Sequence, residues 1–124
     1  MALMTLTDEN FDETINDHAI VVIDFWANWC GPCKSFSPVF EKVASEITDV
    51  TFAKVDVDAQ TQLAQDFNIR SIPQLMVIRE GVVVFAESGV LPESALKDLV
   101  EQAKQLDMPE VHKAISEQKG DAKE

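Results

Sequence analysis

Apolar residues follow two rhythms along this 124-residue chain. "AIVVIDFWA", residues 19–27, is a nearly continuous run of β-branched and aromatic side chains, the pattern of a strand covered on both faces. "VTFAKVDV" (50–57) reads as a second strand, and "QLMVI" (74–78) and "VVVFA" (82–86) as a hairpin turned at Arg79-Glu80-Gly81. Elsewhere the spacing is helical. Phe11 and Ile15 lie one turn apart behind a cap at Thr7 or Asp8, and Phe36, Val39, Phe40, Val43 and Ile47 follow Pro32. A short helix near Gln60 to Phe67 takes Asp58 as its cap, and Leu96, Leu99, Val100, Ala103 and Leu106 share one face of a long helix opened by Pro92. Pro38 falls inside the second helix and predicts a kink there. The order helix, strand, helix, strand, helix, strand, strand, helix predicts an α/β fold, a central mixed β-sheet flanked by helices.

Residues 107–124 fall outside that plan. Asp107 can cap a short extra helix, Pro109 suits its first turn, and Val111 and Ile115 lie one turn apart. The expected organisation is a single domain over residues 1–106 and a short C-terminal helical extension and tail over 107–124. The extension reads as a helical cap on the domain surface, with a partner-docking helix as the alternative.

A chain of this length buries one core without staples. Its net charge of -12 argues against nucleic acid and anionic membrane surfaces as partners. No apolar run approaches the roughly 20 residues of a membrane-spanning helix. The first 33 residues carry six acids (Asp8, Glu9, Asp12, Glu13, Asp17 and Asp24) and no Lys or Arg, unlike a secretory or transit segment, so a cytoplasmic location is expected.

Composition leaves the chemistry open; the cysteines narrow it. Both stand in "WCGPC", residues 29–33, with two residues between them. As a staple, a bridge closing so short a loop contributes only about 2 kcal/mol, against nearly 5 for a loop of about 100 residues. As a zinc site, the pair lacks partners: His18 and His112 are distant in sequence and at no recognised ligand spacing, so no metal is expected. Redox chemistry accounts for more. If a helix begins within the motif, its free N–H groups and dipole favour a thiolate on Cys30. Cys33, one turn further in, should be more buried and less ionised. Cys30 would then attack and Cys33 resolve the mixed disulfide. Gly31 and Pro32 bring no cation to stabilise the thiolate, which argues for a reductant rather than an oxidant.

"DFWANWCGPCK" resembles the active-site segment of the thioredoxin family, and the rest of the chain is similar to that family in order and spacing through about residue 106. The resemblance implies the thioredoxin fold and a protein-disulfide reductase with Cys30 and Cys33 as its redox pair. "SIP" (71–73) matches the family's cis-proline loop, and the resemblance implies a cis Pro73 set against the cysteines. Gly81 matches the hairpin glycine, Gly89 the substrate-groove glycine, and Pro38 the helix kink. Two positions depart from the pattern: Gln74 stands where a Thr is common, and Ser88 where an apolar residue is common. Both would line the groove and bear on substrate range.

Asp24 is the only charge in the run from Ala19 to Ala27. Beside a dithiol, a buried carboxyl raised by desolvation suits a proton acceptor for Cys33; a satisfied structural carboxylate is the alternative. Lys54 matches the family's lysine near this acid, with a snorkelling or edge-strand lysine as the alternative. The expected catalytic set is therefore Cys30, Cys33, Asp24 and Lys54. The expected substrate surface is Trp29, Gly31, Pro32, Ile72, Pro73, Gly89 and Val90, holding an extended peptide mainly by backbone contacts. By resemblance, the protein needs no cofactor of its own, and a thioredoxin reductase, a flavin enzyme drawing on NADPH, returns its electrons. The partners expected are that reductase and protein disulfides, and the chain is expected to act as a monomer. A binding or chaperone module on the same fold, with incidental redox activity, is the alternative from another class.

Overall fold

The structure, a computed structural model, describes residues 3–122, with side chains as far as Gln118. These form β1 (Leu3–Thr5), α1 (Phe11–Asp17), β2 (Ile20–Trp26), α2 (Gly31–Glu46), β3 (Thr51–Asp56), α3 (Thr61–Asp66), β4 (Gln74–Arg79), β5 (Val82–Ser88), α4 (Glu93–Lys104) and α5 (Met108–Ala122). The sheet has the order β1-β3-β2-β4-β5. β1 and β2 run parallel to β3, while β4 is antiparallel to both β2 and β5.

β2 lies at the centre and is buried from Val21 to Phe25, which explains its apolar run. Alternation then divides its side chains between two cores. Val22 faces α2 and α4, among Phe36, Phe40, Phe52, Val77, Leu96 and Val100. Val21, Ile23 and Phe25 face Phe11, Leu63 and Phe67, contributed by or beside α1 and α3. Asp24 shares the parity of Val22, so its carboxyl enters the α2 side of the sheet.

Several local expectations need correction. The strand Leu3–Thr5 has no signal in the sequence, because three residues carry no periodicity; it exists through its register with Phe52–Lys54. Neither Thr7 nor Asp8 caps α1. The N-cap is Asn10, without a side-chain cap bond, and Thr7 and Asn10 instead close a turn through mutual bonds of 2.7 and 3.1 Å. Asp8 serves α3: its Oδ1 accepts from Leu63 N at 2.9 Å, and its own N–H donates to Gln60 Oε1. Asp58 therefore does not cap α3, whose N-cap is Gln60. Pro38 lies inside α2 without ending it.

The hairpin turns at Glu80 and Gly81, whose φ values of 51° and 78° match the twist of the flanking strands. α4 ends at Lys104, short of Leu106, where Arg79 Nη1 donates to the carbonyls of Ala103, Lys104 and Leu106. α5 is longer than the short helix expected, and Asp107 caps it by accepting from Glu110 N at 3.2 Å. Met108 is buried, and His112 Nε2 lies 3.0 Å from Glu80 Oε1, which ties α5 to the hairpin turn. The frayed end expected for the tail falls partly on residues 123–124, outside the described residues.

Candidate active site at the head of the second helix

β2 delivers the chain to the C-terminal edge of the sheet at Trp26, and α2 starts five residues later. Between them Cys30 occupies the N-cap of α2 in an extended conformation, and its Sγ accepts from Cys33 N at 3.1 Å. The first sulfur thus holds the place a Ser or Asp oxygen usually takes at a helix start. Pro32 sits in the first turn, where its missing N–H leaves no helical bond unmade. Cys30 and Cys33 are at disulfide distance, their Cα atoms 5.2 Å apart.

The expected contrast in burial is absent, since Cys30 is 4% and Cys33 3% exposed. What separates the two sulfurs is their position: only Cys30 Sγ receives the helix-start amide. It also lies 3.7 Å from the Ile72 carbonyl oxygen. The Ile72–Pro73 peptide is cis, as expected, and Pro73 is buried while Gly31 and Pro32 are exposed. Gly89 comes beside this loop by donating its N–H to Pro73 O at 2.9 Å. Its φ of +118° explains the glycine, because L side chains rarely adopt that conformation. Val90, next in the chain, is exposed. The structure therefore brings Gly31, Pro32, Ile72, Pro73 and Gly89 to the cysteine pair, with Val90 following the glycine.

Trp29 is 71% exposed, yet its indole is held, since Nε1 donates to Asp58 Oδ2 at 3.0 Å. Asp58, expected from sequence to be a helix cap, is thus a residue of the loop after β3 bonded to the tryptophan. Its partner is 29 positions away, and no local pattern could have revealed it. Trp26 is partly buried, packed against Cys30 and Cys33 with Ala27, Val57 and Ile72.

Asp24 is 0% exposed, and neither carboxyl oxygen has a hydrogen-bond partner. Desolvation is the main influence and pushes the carboxyl up to about 7; the charge of Lys54 lowers it and that of Glu41 raises it. Lys54 is the register partner of Asp24 on the adjacent parallel strand, so the two side chains leave the sheet on the same face. The Lys54 ammonium lies 5.6 Å from the centre of the Trp26 ring and donates to Ser37 Oγ. Ser37 donates in turn to Glu41 Oε2 at 3.0 Å. A cleft of about 130 Å³ is lined by Trp26, Ala27, Asn28, Cys33, Lys34, Ser37 and Lys54, so Cys33 and Lys54 share one opening. Ser37 and Glu41 join this site without a motif to mark them. The available signal was spacing: Ser37 lies one turn beyond Cys33 on the helix face otherwise filled by Phe36 and Phe40. Among the described residues, no cluster of His, Cys, Asp or Glu is placed to hold a metal ion.

The architecture and the sequence have close counterparts. The family model described as Thioredoxin matches residues 2–102. A Streptomyces coelicolor protein named "Putative thioredoxin 2" is 58% identical over 117 residues, 94% of this chain and 87% of that protein. The thioredoxin of Bacillus subtilis is 40% identical over 101 residues, 81% of this chain and 96% of its own length. Among solved structures, a mutant thioredoxin from Halobacterium salinarum superposes with a TM-score of 0.77 at 37% identity, covering 84% of this chain and 92% of that one. With a Cys-Gly-Pro-Cys pair at the start of a helix, beside a cis-proline loop on this five-stranded sheet, the chain belongs to the thioredoxin family of disulfide oxidoreductases.

Proposed function

We propose that Cys30 is the nucleophile and Cys33 the resolving thiol of a general protein-disulfide reductase. The observation that carries this reading is the bond from Cys33 N to Cys30 Sγ at the N-cap of α2. An N–H donor and the positive end of a helix of 16 residues favour a thiolate at that sulfur over the one a turn inside. In the reduced protein, the Cys30 thiolate attacks one sulfur of a substrate disulfide and expels the other as a thiolate. Cys33 then attacks Cys30 Sγ, releasing the second substrate sulfur and leaving the protein oxidised; two electrons have passed to the substrate.

Asp24 is the proton acceptor that frees the Cys33 thiolate, and its titration near neutrality suits that task. Lys54, in the same cleft as Cys33, sets the charge around that acid. Trp29, Gly31, Pro32, Ile72, Pro73, Gly89 and Val90 form the groove for an extended peptide. The exposure of Trp29 and Val90 and the closeness of the Ile72 carbonyl to Cys30 support this.

A flavin reductase using NADPH, a thioredoxin reductase, returns the electrons, in keeping with the family. The protein needs no cofactor beyond its own dithiol. Residues 1–106 make the working domain, and 107–124 an extension anchored at the far end of the sheet. The protein works as a monomer in the cytoplasm, a reducing compartment where two thiols spaced as a redox pair can cycle. Among the described residues, no helix is long and apolar enough to cross a membrane.

Insulin reduction driven by dithiothreitol, or by a reductase with NADPH, tests the activity; a binding or chaperone module whose redox activity is incidental gives little turnover. Cys30→Ser abolishes reduction, whereas Cys33→Ser attacks and stalls as a mixed disulfide. Equal trapping of substrate proteins by both variants would falsify the assignment of nucleophile.

A further inference from the structure

The unusual feature beneath the cysteines is a pairing that geometry allows and the side chains do not make. Asp24 and Lys54 are direct neighbours on parallel strands and project from the same face of the sheet. A buried carboxyl with two unpartnered oxygens would ordinarily capture so close an ammonium. Lys54 instead turns to α2, where Ser37 Oγ accepts its bond. An ammonium can only donate, and the next bond agrees with that direction. A hydroxyl has a single proton, and Ser37 gives it to Glu41 Oε2, so the lone pairs of Oγ face the ammonium. Ser37 and Glu41 are one helical turn apart, and Ser37 is one turn beyond Cys33, so a single face of α2 carries the resolving sulfur and both groups.

We propose that Ser37, backed by Glu41, is a positioning residue that holds the Lys54 ammonium away from Asp24 and so keeps the buried acid without a counter-ion. The charged groups bearing on Asp24 are Lys54 from β3 and Glu41 from α2; β4 presents only Leu75 in register, and Lys34, at the rim of the cleft, is exposed. An acid paired with Lys54 would stay ionised through neutrality and make a weak base. An acid denied that partner keeps its affinity for a proton, and its titration near neutral pH agrees. The proposal rests on the reading of Asp24 as proton acceptor for Cys33, but its structural half can be measured without it.

The experiment follows the Asp24 carboxyl by carbon-13 NMR against pH in the oxidised protein, for wild type, Ser37→Ala, Ser37→Thr and the same changes in a Lys54→Met background. Ser37→Ala, which favours the helix, is expected to release Lys54 to the acid and weaken its proton affinity by about tenfold or more. Ser37→Thr keeps the hydroxyl and is expected to restore the wild-type midpoint. In the Lys54→Met background, Ser37→Ala is expected to change nothing, because the ammonium it would release is gone. An unchanged or raised midpoint in Ser37→Ala overturns the proposal, as does an equal fall with and without Lys54. A parallel measurement takes the pH profile of mixed-disulfide resolution. If the carboxyl midpoint falls and the profile moves with it, both halves stand. If the midpoint falls and the profile stays, the clamp stands and the proton-acceptor role of Asp24 is overturned.

Discussion

The indole Nε1 of Trp29 donates to Asp58 Oδ2 at 3.0 Å, so the most exposed aromatic beside the cysteines is fixed in place by an acid from the loop after β3. An exposed ring gains little from burial, and its orientation depends on that bond. Asp58→Ala is expected to change unfolding free energy by less than about 1 kcal/mol, since both groups can bond to water when parted. The loss of a positioned contact face, at about 0.5–1.5 kcal/mol, corresponds to roughly a two- to twelvefold rise in KM for a peptide disulfide. Steady-state kinetics and the fluorescence anisotropy of Trp29 check this. Unchanged KM with a freely rotating indole would show that substrate does not use the held ring.

Asp24→Asn is expected to stabilise the oxidised protein increasingly as pH rises. The unfolded carboxyl titrates near 3.8 and the folded one at about 7, so folding takes up a proton between those values. A folded value raised above the unfolded one means that stability is greatest below the unfolded titration and falls as pH climbs toward the folded one. The whole span corresponds to about 4 kcal/mol. An amide has no such dependence, so the gap between mutant and wild type widens by about that much, whatever constant offset its unpartnered N–H adds. Denaturant unfolding of both proteins from acid to mildly alkaline pH measures it. A constant gap would mean that Asp24 titrates alike folded and unfolded.

Gly89→Ala is expected to cost roughly 1–3 kcal/mol through backbone strain alone. The added Cβ meets nothing within 4 Å, so no clash contributes, but φ is +118°. Relaxation would pull the Gly89 N–H from Pro73 O and shift the loop that faces Cys30. Reduced stability should therefore accompany slower insulin reduction. Full activity at reduced stability would place the loop outside the binding groove.

Truncation after Leu106 is expected to leave turnover nearly unchanged and to lower stability. α5 is fastened through Met108 and the Glu80–His112 pair, near the end of β2 where Arg79 pairs with Ile20, opposite Trp26 and the cysteines. Removing Met108 uncovers apolar surface worth roughly 2 kcal/mol. It also takes Val111 and Ile115 from the cleft that they form with Val82 and Val83, on the exposed edge strand β5. Insulin reduction and thermal unfolding of the truncated chain check both halves. A large loss of turnover in a folded protein would bring the extension into the mechanism.

What the sequence determined by itself was whatever depends on near neighbours in the chain. The continuous apolar run of β2 announced a central strand, the helical spacing of Phe36, Phe40 and Val43 announced α2, and Cys30 and Cys33 with two residues between them announced a redox pair at its start. The acid at position 24 was legible because a single charge interrupts an apolar pattern. Tertiary structure decided the partners. Leu3–Thr5 became a strand only by lying along Phe52–Lys54, Asp8 capped a helix more than fifty residues away, and Asp58 left its expected helix for Trp29. Lys54, the nearest cation to Asp24 by register, was taken by Ser37 on the helix packed above. Periodicity fixes which face a side chain occupies, because that follows from backbone geometry. Which atom it meets there depends on how strands and helices from distant parts of the chain are laid together.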